Sequence, residues 1–295
     1  MSKRILVVGG VAGGASAAAR ARRLDESPEI IVFEKGPHVS FSNCALPFHL
    51  SGIVEDVDSL VLMDPETFKS QYNIDVRVNN EVVKINRDKK TILVKDLNTG
   101  EEYEEAYDKL VLSPGASPIR PASIEGINNE NVFTVRNVVD IDNINTYIKG
   151  NNIKDVAVIG GGFIGLEVAE NLRLAGLNVA LVEALDQVMA PFDYDTVQIL
   201  HKELMDQGVD LILSDAVKKI GEDHVELQSG RQVKAEAVVL AIGVRPETKL
   251  AEEAGLEIGE TGGIKVDHNY RTSDKDIYAV GDAIEVYNRL THKPT

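Results

Sequence analysis

The 295-residue chain contains one cysteine, Cys44, within Ser40-Phe41-Ser42-Asn43-Cys44-Ala45-Leu46-Pro47. A lone thiol has no partner for an internal disulfide, so structural cross-linking is excluded. It can serve as a small buried hydrophobe or as a nucleophile, and its neighbours favour the second use. Ser42 or Asn43 can cap a helix, and Pro47 suits a first turn, where its missing N–H is no loss. The sulfur would then lie by the positive end of that helix, a setting that favours the thiolate. The chemistry this predicts is that of a nucleophilic, redox-active Cys44.

Two dinucleotide-type glycine turns flank the cysteine, one before it and one after. Residues 4–8 form an apolar run ending at Gly9-Gly10, followed by an alanine-rich stretch from Ala12 to Leu24. This pattern predicts strand, tight turn and helix. Ile30–Phe33 reads as a second buried strand with Glu34 at its carboxyl end, completing a βαβ unit. Gly9 and Gly14 keep two glycines of a GxGxxG fingerprint, with Val11 in the middle position. Glu34 follows Gly9 by 25 residues, close to the ~20 expected of a carboxylate that accepts from a ribose hydroxyl. Backbone N–H groups at the helix start would hold a pyrophosphate.

The order then repeats. Val156–Ile159 leads into Gly160, Gly162 and Gly165, here with all three glycines, and a second strand ends at Glu183. Each copy continues into alternating apolar positions that predict an antiparallel meander: 75–112 in the first, and Val209–Leu213 with Val225–Leu227 in the second. Each closes on a strand and a glycine turn, Leu110–Gly115 and Val238–Gly243. Pro65–Phe68 reads as a helix start. Near the end, a short strand over 276–280 presents Gly281-Asp282, where Asp282 is either a ligand-facing carboxylate or a turn residue.

Composition narrows the class. At 43% hydrophobic the chain can bury about two cores. Its net charge of −16 makes a nucleic-acid phosphate surface an unsuitable partner. No stretch approaches the ~18–20 apolar residues a bilayer span needs. The N-terminal apolar run is too short for a signal segment. With a single cysteine, these features predict a reducing cytoplasmic setting. No metal site is expected.

Taken together, these residues resemble the FAD-dependent pyridine nucleotide–disulfide oxidoreductases. Within them the chain is most similar to the single-cysteine branch of coenzyme A-disulfide, NADH-dependent persulfide, NADH oxidase and NADH peroxidase enzymes. Dithiol members carry a second cysteine five positions away, and here Val39 and His49 stand at those positions. The Gly9–Gly14 turn and the Ser40–Pro47 motif look most like coenzyme A-disulfide and persulfide reductases. Oxidase and peroxidase members carry a histidine in the first glycine turn, where this chain has Ala12.

The resemblance implies an α/β fold of two Rossmann-like three-layer domains with antiparallel meanders. It places an FAD domain at 1–117 and 246–295, with an NAD domain at 118–245 between its parts. Family members continue into a dimerisation domain, so this chain is expected to be a fragment of a homodimeric parent, lacking that domain. Gly9, Gly14, Glu34 and Lys35 would hold the FAD pyrophosphate and adenosine. Val82 would meet the adenine through its backbone, Ser113 and Gly115 would line the flavin, and Asp282 would bind the ribityl chain. Gly160, Gly162, Gly165 and Glu183 would bind the nicotinamide nucleotide, with Glu167 near its contact with the flavin and Gly243 near the junction. Coenzyme A would be held by Ser16, Arg20, Arg23, Ser40 and Asn43.

The implied reaction takes electrons from NADH through FAD to Cys44, and on to coenzyme A disulfide or a low-molecular-weight persulfide. The alternative is an NADH oxidase whose Cys44 cycles through sulfenic acid. NADH is favoured over NADPH, because Glu183 accepts from a 2′-hydroxyl and repels a 2′-phosphate.

Overall fold

The computed structural model describes residues 3–295. The chain divides into two compact units. One comprises the residues up to Phe41 together with Val61–Ser117 and Arg245–Thr295, and the other comprises Ser42–Leu60 with Pro118–Val244.

In the first unit, β1 (Arg4–Val8) and β2 (Glu29–Glu34) pair in parallel across helix α1 (Ala12–Leu24). Their continuous apolar runs suit strands covered on both faces, and Leu6, Val7, Ile31, Val32 and Phe33 are buried. Helix α3 (Pro65–Tyr72) starts where expected, with the Asp64 carboxylate accepting from Thr67 N–H, and it leads into β3 (Asp75–Val78). Next come β4 (Asn80–Asn86), β5 (Thr91–Asp96), β6 (Glu102–Ala106) and β7 (Lys109–Leu112). Only β4, β5 and β6 form the antiparallel meander. β3 instead pairs in parallel with β2, so the expected meander over 75–112 is corrected at both ends. The alternation of apolar residues reports a strand with one covered face, which an edge strand of a parallel sheet also has.

The chain leaves this unit along β8 (Ala116–Pro118). The second unit then contributes β9 (Val132–Thr134), α4 (Val138–Gly150), β10 (Asp155–Ile159), α5 (Phe163–Leu174), β11 (Asn178–Val182), α6 (Tyr194–Asp206) and β12 (Asp210–Ile212). β12 pairs in parallel with β11, so the meander expected to begin at Val209 starts later. It consists of β13 (Val217–Ile220), β14 (His224–Leu227) and β15 (Gln232–Lys234), and β16 (Ala237–Leu240) follows. The five-stranded sheet runs β12-β11-β10-β16-β9.

The return through β17 (Val244–Pro246) brings α7 (Lys249–Glu253), β18 (Ile264–Lys265), β19 (Ile277–Ala279) and β20 (Ile284–Glu285) into the first unit. β19 completes that unit's sheet in the order β3-β2-β1-β7-β19. The two sheets therefore share one plan, except that the fifth strand comes last in the first unit and first in the second.

The cysteine segment groups with the second unit. Its helix α2 (Leu46–Leu50) buries Leu46, Pro47, His49 and Leu50 and packs against α4 and α5. Among the described residues no helix is long and apolar enough to cross a membrane, and no group of acidic, histidine or cysteine side chains is placed to hold a metal.

Charge pairs close the lower edge of the first sheet. Asp276, the residue just before β19, accepts from Lys90 Nζ at 2.5 Å and from Lys109 Nζ at 2.7 Å, tying the start of β19 to β7 and to the β4–β5 turn. These two ammonium groups hold the Asp276 carboxyl at about 2. Since the folded value is depressed, the contribution is complete above the ordinary carboxylate range and lost as pH falls toward about 2. Asp276→Asn should therefore lower the melting temperature at pH 7 and flatten its decline between pH 4 and pH 2, as followed by circular dichroism. An unchanged acid limb would contradict this pairing.

Candidate active site and nucleotide cradles

Both glycine turns are built by the same contacts. Gly9 and Gly160 have φ of +89° and +107°, in the region that favours glycine. Gly9 N–H donates to Phe33 O and Gly160 N–H donates to Val182 O, each at 2.8 Å. A Cβ on Gly14 would lie 1.8 Å from Gly9 O, and one on Gly165 would lie 1.9 Å from Gly160 O. The helix thus starts with its backbone pressed on the preceding strand end. The backbone geometry requires glycine at all four positions, through positive φ at Gly9 and Gly160 and through close approach at Gly14 and Gly165.

The acidic residues have a further function that spacing did not suggest. Glu34 accepts from Gly10 N–H and Gly36 N–H, both at 2.8 Å. Glu183 accepts from Gly161 N–H at 2.6 Å and Leu185 N–H at 2.9 Å. Each carboxylate therefore braces the turn and its own loop, and keeps lone pairs for further hydrogen bonds.

The following loop also repeats. Ser40 N–H donates to Gly10 O at 2.9 Å, and Met189 N–H donates to Gly161 O at 2.8 Å. Ser40 and Met189 both adopt positive φ, at +50° and +49°. Val39 and Val188 seat on Gly10 and Gly161, where a Cβ would approach either valine to 2.7 Å. Ser40 is thus fixed through its backbone, while its hydroxyl makes no side-chain hydrogen bond among the described residues.

The two turns differ at the middle position. Gly162 precedes α5, is exposed, and a Cβ there would meet nothing within 4 Å. The protein itself does not need glycine at 162, so the open space fits close approach by a pyrophosphate. In the first turn Val11 holds that position, and Gly13 lies close to Gly281 instead. This contact brings exposed Asp282 to the start of α1. Ser113 Oγ donates within the same turn, 2.7 Å from Val8 O and 3.0 Å from Gly9 O. Gly115 and Gly243 end the equivalent strands with φ of +73° and +114°. Val82 is buried in the meander, where the register shifts between Val82 and Lys84 as at a β-bulge. Lys35 is exposed beside Glu34.

On α1, Ser16, Arg20 and Arg23 fall at i, i+4 and i+7 and are all exposed. Neither Arg20 nor Arg23 makes an ion pair among the described residues. Arg22, which lies between them, is buried and donates to Tyr72 O, Asn73 O and Glu26 O, so it is a structural tie to the end of α3.

Cys44 is exposed. It lies in a 3-10 turn, Asn43–Ala45, which runs directly into α2 with Pro47 in its first turn. The expected side-chain cap is absent: Ser42 precedes the turn without a capping bond, and Asn43 is an exposed member of it. Backbone bonds substitute, with Ser42 N–H donating to Leu60 O at 2.9 Å and Ala45 N–H to Ser42 O at 3.1 Å. α2 has only five residues, so its dipole at the sulfur is small.

In the second unit, Glu167 is exposed one turn along α5 from Phe163, on the same face. Phe163 is 63% exposed and meets Phe192 edge-on at 6.3 Å. Sequence reasoning passed over this aromatic pair and also missed His201. His201 is buried on α6, and its Nε2 accepts from Val188 N–H at 3.2 Å. Burial holds its imidazole below the ordinary value.

The pyridine nucleotide-disulphide oxidoreductase family model matches residues 3–294. The chain belongs to this family. Its members combine FAD with a pyridine nucleotide, which agrees with the paired cradles. Over 291 residues the chain is 36% identical to coenzyme A disulfide reductase of Staphylococcus aureus, covering 99% of this chain and 66% of that protein. The crystal structure of reduced Bacillus anthracis CoADR-RHD superposes with a TM-score of 0.97 at 47% identity, covering 100% of this chain and 53% of that one. An NAD-dependent persulfide reductase from A. fulgidus gives 0.94 at 38% identity, covering 99% and 55%. The chain thus spans about half to two-thirds of the length of these relatives.

Two outcomes follow from the cradle geometry. Gly165→Ala should destabilise the chain by about 1–3 kcal/mol, as overpacking does, whereas Gly162→Ala should leave the melting temperature unchanged and weaken nucleotide binding. Comparable melting losses in both variants would contradict the assignment. For His201 the folded pKa is depressed, so its stabilising contribution holds above 6.5 and is lost as pH falls below it. His201→Gln, which keeps an acceptor, should flatten the drop in melting temperature between pH 7 and pH 5.

Proposed function

We propose that the chain is the electron-transferring part of an FAD-dependent disulfide reductase that uses NADH to reduce coenzyme A disulfide or a low-molecular-weight persulfide at Cys44. The observation that carries this reading is an exposed lone thiol, held in a turn stabilised by backbone bonds, in a chain with two nucleotide cradles of one design. The names of two solved relatives, the Bacillus anthracis CoADR-RHD and the A. fulgidus persulfide reductase, agree with it.

Residues 1–117 and 246–295 are assigned to FAD. Gly9 and Gly14 open the start of α1 to the pyrophosphate, Glu34 and Lys35 take the adenosine ribose and phosphate side, and Val82 offers backbone groups to the adenine. Ser113 and Gly115 line the flavin side, and Asp282 binds the ribityl chain. Residues 118–245 are assigned to NADH, with the pyrophosphate over Gly160, Gly162 and Gly165 and the adenosine ribose on Glu183. Phe163 shields the nicotinamide from water, Glu167 borders it, and Gly243 leaves space at the junction. Bound FAD would supply the two-electron relay between nicotinamide and sulfur.

The Cys44 thiolate attacks one sulfur of the substrate disulfide. A Cys44–S bond forms, the substrate S–S bond breaks, and the departing thiolate takes a proton from solvent. Two electrons originating from NADH then cleave the mixed disulfide, releasing the second thiol and restoring the Cys44 thiolate. Arg20 and Arg23, exposed on one face with Ser16, supply cations for the phosphates of coenzyme A, and Ser40 and Asn43 supply hydrogen bonds.

Cys44→Ser should leave NADH-dependent reduction of a dye within about twofold and abolish disulfide reduction, a loss of at least ~10³-fold for a missing nucleophile. Persistent disulfide reduction would remove Cys44 from the reaction. Oxygen uptake matching NADH consumption, with no gain from added coenzyme A disulfide, would favour the oxidase reading instead. KM for NADPH should exceed that for NADH by about tenfold or more, a gap that Glu183→Ala should narrow. Equal KM values in the unmodified protein would overturn the coenzyme assignment.

A further inference from the structure

The segment that carries Cys44 is fastened to two helices of the second unit by side chains that no part of the proposed chemistry uses. His49 is buried on α2. Its Nδ1 lies 2.8 Å from Val54 O and therefore carries the proton, leaving Nε2 to accept from Asn145 Nδ2 of α4 at 3.0 Å. At the end of α2, Ser51 Oγ lies 2.7 Å from Asn171 Oδ1 of α5 and 3.0 Å from Phe48 O of its own helix, so its one proton goes mainly to the nearer, buried amide. Asn171 is 1% exposed, and its Nδ2 donates back along α5 to Glu167 O at 2.8 Å. Both polar ends of this buried amide are thus satisfied, one by the nucleotide-binding helix and one by the cysteine segment.

That arrangement is hard to account for as packing alone. A buried asparagine in mid-helix is a poor helix former, and a leucine of similar volume would fill the same space without the need for hydrogen-bond partners. An amide at 171 becomes useful if the segment must be held in one register on α5. Apolar contacts from Leu46 and Leu50 favour contact but tolerate sliding, whereas the Ser51–Asn171 bond has one geometry. The same helix begins at Gly162 and carries Phe163 and Glu167, so Asn171 joins the element that would hold the nicotinamide to the one that holds the sulfur.

We propose that Asn171 is a positioning residue: through Ser51 it locks the short helix following Cys44 onto the nucleotide-binding helix, and the lock sets the orientation of the sulfur for electron delivery. The inference rests on Cys44 being the redox nucleophile, but the lock itself can be tested without turnover.

The experiment compares Ser51→Ala, Asn171→Leu, the double variant and Ser51→Thr, each in the full chain. Hydrogen exchange is followed for Gly52 and Val54, whose N–H groups bond to His49 O and Phe48 O at the end of α2. In both single variants these amides should exchange about tenfold faster, the effect of losing one hydrogen bond, while amides of β10 and β11 stay unchanged. In the FAD-loaded protein, kcat for disulfide reduction should fall by a similar factor with KM for NADH unchanged. Ser51→Thr, which keeps the hydroxyl, should match the unmodified protein, and the double variant should be no worse than either single one. Unaltered exchange at Gly52 and Val54 in Asn171→Leu would overturn the lock. So would additive losses in the double variant, or a fall in kcat that Ser51→Thr shares. If Cys44→Ser still reduced disulfides, the functional reading would fail, and the exchange measurements would still decide whether the lock exists.

Discussion

In each unit the fold depends on one close contact between backbones. The helix following the first strand begins so near the strand end that the Cβ of any other residue at Gly14 or Gly165 would overlap a carbonyl oxygen. That approach leaves the first N–H groups of the helix facing outward together, where an anion can take them. The carboxylate at the end of the second strand then ties down the turn, since Glu34 and Glu183 each accept from a glycine N–H in it. The loop beyond closes over the turn through a valine and a left-handed residue. Glycine, acid and loop form a single mechanical unit, present twice.

Duplication explains why the two units share a sheet order while the chain enters them differently. A parallel sheet fixes which strands neighbour each other but leaves open where the fifth strand comes from. In the first unit β19 arrives after the chain has built the second unit, and in the second β9 precedes the other four strands of its sheet. The added charge pairs follow from this. Lys90 and Lys109 pair with Asp276 to fasten a strand that arrives late in the sequence.

The cysteine segment stands apart from this duplicated plan. It belongs to the second unit through α2, α4 and α5, although it is inserted between parts of the first. Its exposed sulfur is carried on a turn held by backbone bonds, while the residues behind it are buried and anchored by His49 and Ser51. An exposed sulfur on an anchored base is the arrangement that the proposed exchange chemistry needs.

The sequence alone determined the glycine turns, the acidic strand ends, the lone thiol and hence the family. These depend on residue types recurring at set spacings within one βαβ unit, where the acid follows the glycine it braces by 24 positions in one copy and 22 in the other. Alternation cannot distinguish an edge strand of a parallel sheet from the first strand of a meander, so the partners of Asp75–Val78 and Asp210–Ile212 are decided only by the tertiary structure. Nor could the sequence show that Arg22 points inward between Arg20 and Arg23, or that Asn145, Asn171 and His201 have buried partners. Those roles are set by contacts across 13 to 120 positions of sequence, and only the tertiary structure brings such residues within hydrogen-bond distance.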